Sequence, residues 1–195
     1  MPLSESPSLY TVSGERKYLN ASEREAFEQA LTDFEPKVRT FGLVLLYTGF
    51  RISEVLSLTV GSIDLSEKIL CVESLKKRRR GVYRAVPVPE RLLVLLGEVH
   101  GLPGSDKKAR LWAWSRATAS LRVRAVMLGA GVEGERACAR GLRHSFGIAC
   151  MEAGIPAHML QKWLGHAHLE TTAIYATAVG VEERNLASRL WGQEG

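Results

Sequence analysis

The chain reads as a mostly α-helical domain carrying a small antiparallel β-hairpin or sheet, and three observations predict it. Apolar residues recur at helical spacing over most of the length. One stretch, KILCVESLKKRRRGVYRAVPVP, instead alternates β-branched and polar residues on both sides of a basic, glycine-containing turn. Finally, 46% of the 195 residues are hydrophobic, enough to bury a full core in one domain.

The first dozen residues are rich in Ser and Pro and are expected to be loose, giving a flexible N-terminus over 1–14. NASEREAFEQALTDF then carries Ser22 and Glu25 at capping-box spacing ahead of a helical apolar pattern. PKVRTFGLVLLYTG opens on a proline and stops at Gly49, as a buried helix does. A shorter helix is expected over RISEVLSL, followed by the hairpin. After Pro89 helix resumes in ERLLVLLGEV and again in ARLWAWSRATASLRVRAVMLGA. The last third predicts short helices over Gly141 to Ala153, Ala157 to Leu164, Glu170 to Ala178 and Val181 to Trp191.

Composition narrows the function classes. The net charge is +5 with a pI near 9.3, and Lys and Arg fall in clusters, which points to a polyanionic partner such as nucleic acid. Three cysteines, with no CxxC, argue against a disulfide framework and for a reducing cytoplasm. The apolar runs are too short to span a bilayer, and MPLSESPSLYTVSG lacks the order of a signal peptide. His144, His158, His166 and His168 lie close in sequence, but no Cys or carboxylate completes a zinc spacing, so neither metal nor cofactor is expected.

Three boxes carry chemistry: TGFRISEVLSL, RGLRHSF and LGHAHLETTAIY. Together and in this order the sequence resembles the tyrosine recombinases, also called phage-type integrases, from about Leu19 to Thr177. The resemblance implies that family's DNA breaking–rejoining catalytic domain over 15–180, followed by a C-terminal helix or tail over 181–195. Carried over residue by residue, it implies Arg51 and Arg143 as the two phosphate-clamping arginines, Glu54 as the carboxylate supporting Arg51, and His166 of the LGH box. The nucleophile follows that histidine by nine positions, and 175 − 166 = 9 marks Tyr175. The lysine that ends the first hairpin strand falls on Lys76, with Lys77 as the alternative. One departure stands out: where the family's second box begins with histidine, this chain has Arg140. His144 is expected to be structural.

These residue types suit the implied reaction, cutting and rejoining DNA through a 3′-phosphotyrosyl link. Opening a phosphodiester requires stabilising negative charge on the non-bridging oxygens, and guanidinium forks hold such oxygens without losing charge. A phenol with a pKa near 10 is a poor nucleophile, so nearby cations are expected to lower it. Arg140 can clamp an oxygen but cannot exchange a proton near neutral pH, so proton handling falls to His166 or weakens.

Lys77, Arg78, Arg79, Arg80 and Arg84, in and beside the basic turn, are expected to contact DNA phosphates. The resemblance further implies double-stranded DNA as partner, self-assembly on it through the C-terminal helix, help from an accessory DNA-bending protein, and a cytoplasmic, nucleoid-associated location. With little chain ahead of the first helix, the sequence resembles the short members, such as those inverting fimbrial promoters, or a truncated mobile-element enzyme. A DNA-binding regulator that lost the chemistry, and a type IB topoisomerase, are the competing readings.

Overall fold

A proline opens and a glycine closes the helix around which everything else is arranged. The computed structural model describes residues 8–73, 81–102, 104, 106–177, 184, 187, 188 and 190. In it helix α2 spans Pro36–Thr48. Pro36 stands in the first turn, whose N–H groups have no intrahelical acceptor, and Gly49 ends the helix at φ 61°, a left-handed value that favours glycine. Phe41, Val44, Leu45 and Leu46 of α2 are fully buried. They are covered by α4 (Glu90–His100) and α6 (Ala139–Glu152), which pack against α2.

Helix α1 (Ala21–Ala30) lies against α5 (Arg116–Gly129) and α6. Its capping box forms from Asn20 and Glu23, not from Ser22 and Glu25: Asn20 Oδ1 accepts from Glu23 N–H at 2.8 Å, and Glu23 Oε2 accepts from Asn20 N–H at 2.9 Å. Glu23 also pairs with Arg16 and Arg136, tying the N-terminal segment and the loop before α6 to the start of α1.

The sheet is antiparallel with order β1 (Ile63–Asp64), β2 (Ile69–Glu73), β3 (Tyr83–Pro87). Its register pairs Leu70 with Val86 and Val72 with Arg84, and these four side chains are buried. Strand alternation therefore points an arginine inward. The expected fold class, mostly helical with a small antiparallel sheet, is what the chain adopts.

Two expectations about local structure need correcting. The helix expected from Ala109 begins only at Arg116, capped by Ser115. Before it, the backbone runs beside the segment after α3 (Ile52–Ser57), with Leu111 N–H donating to the Leu58 carbonyl at 3.1 Å and Val60 N–H to the Ala109 carbonyl at 3.0 Å. Trp112 and Trp114 looked like helix positions because both pack inward, and Trp112 meets Phe41 edge-on at 5.2 Å. The N-terminus is also tied down earlier than expected. Leu9 and Tyr18 are buried, Lys17 N–H donates to the Leu9 carbonyl, and Leu19 N–H donates to Ser145 Oγ at 2.7 Å.

The core has two parts. The larger lies around α2, α4, α5 and the sheet. The smaller gathers Leu9, Tyr18, Phe146, Ile148, Cys150, Leu160, Leu164 and Tyr175. Helix α6 contributes to both, and its second half faces α7 (Ala157–Leu164) and the 3₁₀ turn Ile174–Thr177 that follows α8 (Glu170–Ala173).

Candidate active site

The site forms where the two cores meet. Arg51 stands at the N-terminus of α3, and the short chemistry of that cap fixes it. Glu54 Oε2 accepts from the Arg51 backbone N–H at 2.7 Å, while Glu54 Oε1 accepts from Arg51 Nη1 at 2.9 Å. One carboxylate thus satisfies an orphan helix donor and orients a guanidinium.

Glu54 is fully buried and holds a second cation. Arg84 Nη2 donates to Glu54 Oε2 at 2.7 Å and Arg84 Nη1 to Oε1 at 3.2 Å, while Arg84 Nε donates to the Trp163 carbonyl at 2.8 Å. The Arg84 guanidinium also lies 4.9 Å from the Phe50 ring centre. This overturns the expectation of an Arg84 contact to DNA. The residue is 7% exposed because β3 aims its side chain into the core, where it secures Glu54. Gly165 makes room for it: at φ 66°, an added Cβ would lie 3.1 Å from Arg84 Nη1. Burial alone would raise the Glu54 pKa, but hydrogen bonds and charge from Arg84, and then from Arg51, hold it below the usual carboxylate range.

Arg143 is 8% exposed on α6. Nη1 donates to the Gly49 carbonyl and Nη2 to the Leu164 carbonyl, each at 2.7 Å, so the C-terminal ends of α2 and α7 hold it. Burial first, and the Arg51 charge second, push its pKa down to about 10, leaving it charged near neutral pH. The charges of Arg143 and Arg51 both act on the Tyr175 phenol.

Tyr175 is 1% exposed. Its ring lies on Gly147, where an added Cβ would approach Tyr175 Cδ1 to 2.6 Å, so only glycine lets α6 come this close. The hydroxyl lies 3.3 Å from His144 Nδ1, and the His166 ring stacks parallel to the phenol at 6.4 Å. His166 Nδ1 is 2.9 Å from Thr172 Oγ1. Contrary to the expected lowering, the Tyr175 pKa is pushed up to about 12, because burial outweighs the two arginines. The imidazoles move the other way. Burial and the charge of Arg143 bring His144 down to about 4 and His166 to about 3, so both are neutral near pH 7.

The structure therefore brings Arg51, Glu54, Arg143, His166 and Tyr175 together. Arg140 is exposed at the start of α6, one turn from His144, on which its charge acts. Lys76, its alternative Lys77, and Arg78, Arg79 and Arg80 lie outside the described residues. So do Val181, Leu186 and Trp191 of the expected tail helix, while Leu190 is 85% exposed. Sequence reasoning passed over His144 as the phenol's hydrogen-bond partner. The available signal was its position beside Arg143, one full helical turn after Arg140. Among the described residues no group of three or more His, Cys, Asp or Glu side chains could hold a metal ion. No helix among them is long and apolar enough to cross a membrane.

Comparison with known proteins bears on the family and the fold. The model of the phage integrase family matches residues 17–179. Tyrosine recombinase XerC of Erythrobacter litoralis (strain HTCC2594) is 32% identical over 162 residues, covering 76% of this chain and 51% of that protein. The chain spans about half the length of the curated relatives it matches. Among solved structures, a XerA recombinase superimposes with TM-score 0.79 at 24% identity, covering 96% of this chain and 68% of that one. A XerH site-specific recombinase bound to its difH substrate, before cleavage, gives 0.72 at 22% identity over 94% of this chain and 60% of that one. The architecture is that of the recombinase catalytic domain.

Proposed function

This chain belongs to the phage integrase family, and from that premise we propose that it is the catalytic domain of a site-specific DNA recombinase. It cuts and rejoins double-stranded DNA through a 3′-phosphotyrosyl link at Tyr175. The observation that carries this reading is the convergence of two arginines, Arg51 and Arg143, and His166 on one phenol.

Attack by Tyr175 Oη on phosphorus places added negative charge on the non-bridging oxygens. Arg51 and Arg143 meet that charge already oriented, by Glu54 and by two helix-end carbonyls, so little reorganisation is needed as the reaction proceeds. With Thr172 Oγ1 at Nδ1, the neutral His166 presents its Nε2–H to a phosphate oxygen. Lys76 or Lys77 protonates the departing 5′ oxygen. Because Tyr175 is 1% exposed, cleavage requires the segments that cover the phenol to open far enough for a phosphate to reach it. The bond energy stays in the phosphotyrosine, so religation needs no separate energy source. Self-assembly on DNA through the C-terminal helix, and a helper protein that bends DNA, belong to the same proposal.

The test uses a pool of nicked duplexes randomised around the nick. Wild-type protein is expected to form a denaturant-resistant adduct with a recoverable subset, and Tyr175→Phe to abolish it. An adduct that persists in that variant would move the nucleophile elsewhere. The stowed phenol and Arg140 favour one second reading, a DNA-binding regulator that keeps the fold without the chemistry. It predicts shifted DNA mobility with no adduct from the wild type.

A further inference from the structure

We infer that His144 is a further catalytic residue of this site, accepting the phenolic proton as Tyr175 Oη attacks phosphorus. The inference rests on the cleavage reading above and fills the duty that Arg140 cannot perform.

Geometry singles out this imidazole. His144 Nδ1 lies 3.3 Å from Tyr175 Oη, with the rings 6.0 Å apart and inclined at 53°, and it is the phenol's hydrogen-bond partner among the described residues. The distance is long, as catalytic hydrogen bonds often are before substrate binds. The other nearby imidazole is wrongly placed. The His166 ring centre lies 6.4 Å from that of the phenol, and its Nδ1 is engaged by Thr172 at 2.9 Å. Arg140 has no lone pair to offer.

The charges around His144 keep it available as an acceptor. Burial first, then the charges of Arg143 and Arg140 on its own helix and of Lys17 from the N-terminal segment, disfavour the imidazolium, while Tyr175 faces it as a neutral phenol. With the imidazole near 4 and the phenol near 12, the proton stays on oxygen in the resting site. It transfers only as the Oη–phosphorus bond forms and the phenol becomes strongly acidic. In that step the Oη–phosphorus bond forms and the phosphorus–O5′ bond breaks. The phenolic proton goes to His144 Nδ1, and the leaving 5′ oxygen takes its proton from the hairpin lysine. Religation runs the same transfers backward, with His144 returning the proton to Tyr175.

Two measurements on the full chain decide the matter. In ¹⁵N-histidine-labelled protein at pH 7 without DNA, His144 Nδ1 is expected to be unprotonated, with a signal that moves in Tyr175→Phe. A protonated Nδ1 would overturn the assignment. On duplexes recovered from the randomised pool, His144→Asn keeps an acceptor near the Nδ1 position but cannot take a proton. It is expected to slow adduct formation by roughly 10²- to 10⁴-fold at a nearly unchanged unfolding midpoint. His144→Ala should be similarly slow and partly rescued by added imidazole. An adduct rate that His144→Asn leaves unchanged would overturn this assignment alone, whereas no adduct from the wild type would overturn the cleavage reading and the assignment with it.

Discussion

The arginine half of the site and its tyrosine half are built on different principles. Arg51, Arg84 and Arg143 are held by a buried carboxylate and by main-chain carbonyls at 2.7 to 3.2 Å, the first two on α3 and β3 of the main core and the third on α6, which joins both cores. Tyr175 sits on a short 3₁₀ turn in the smaller core, held by packing on Gly147 and by one 3.3 Å contact to His144. The difference teaches what each half must do. In the proposed reaction, charges that stabilise a transition state act best when they are fixed beforehand, whereas a nucleophile that starts buried has to be uncovered.

The largest effect should come from breaking the arginine half. Glu54→Gln leaves Arg84 buried beside a neutral amide and releases Arg51, and removing one partner of a buried pair costs about 3–5 kcal/mol. Urea unfolding reads this directly, and a loss below about 1 kcal/mol would mean that Glu54 is not the anchor of that half.

Acid should loosen the tyrosine half first. His144 and His166 have folded-state pKa values depressed to about 4 and about 3, so below 6.5 the unfolded chain binds protons that the folded one does not. Stability is therefore full above about 6.5 and falls as pH drops toward 4, by up to roughly 1.4 kcal/mol per pH unit for each imidazole. Glu54, lowered below 4.5, keeps the arginine half intact over that window. Unfolding midpoints measured from pH 7 to 5 check this, and His144→Asn should remove its share of the slope.

A smaller effect is expected from Gly147→Ala. The new methyl would meet the Tyr175 ring and displace it, at a cost near the low end of the about 1–3 kcal/mol typical of overpacking, because the 3₁₀ turn can yield. Tyr175 should then become reactive to a tyrosine-nitrating reagent while the arginine half is unchanged. A phenol that stays protected would show that the two halves are not separable.

Much of this architecture was legible beforehand, and the failures have physical causes. Pro36 and Gly49 bracket α2 as expected, since both act on the local backbone. The Trp112 segment misled because inward-facing aromatics suit an extended strip against Leu58 as well as they suit a helix. The capping box sits at Asn20 and Glu23, though Ser22 and Glu25 have the same spacing. Arg84 read as part of a basic surface, and only the hairpin register turns it inward.

What the sequence by itself determined is the set of groups: which arginines, which histidine and which tyrosine stand at compatible intervals, and which residues start and stop helices. Those are properties of neighbours along the chain. Tertiary structure alone decided that Arg84 supports Glu54, that His144 faces the phenol, and that the Tyr175 pKa rises instead of falling. Each of these depends on burial and on through-space distance between segments far apart in the chain, and no local spacing encodes either quantity.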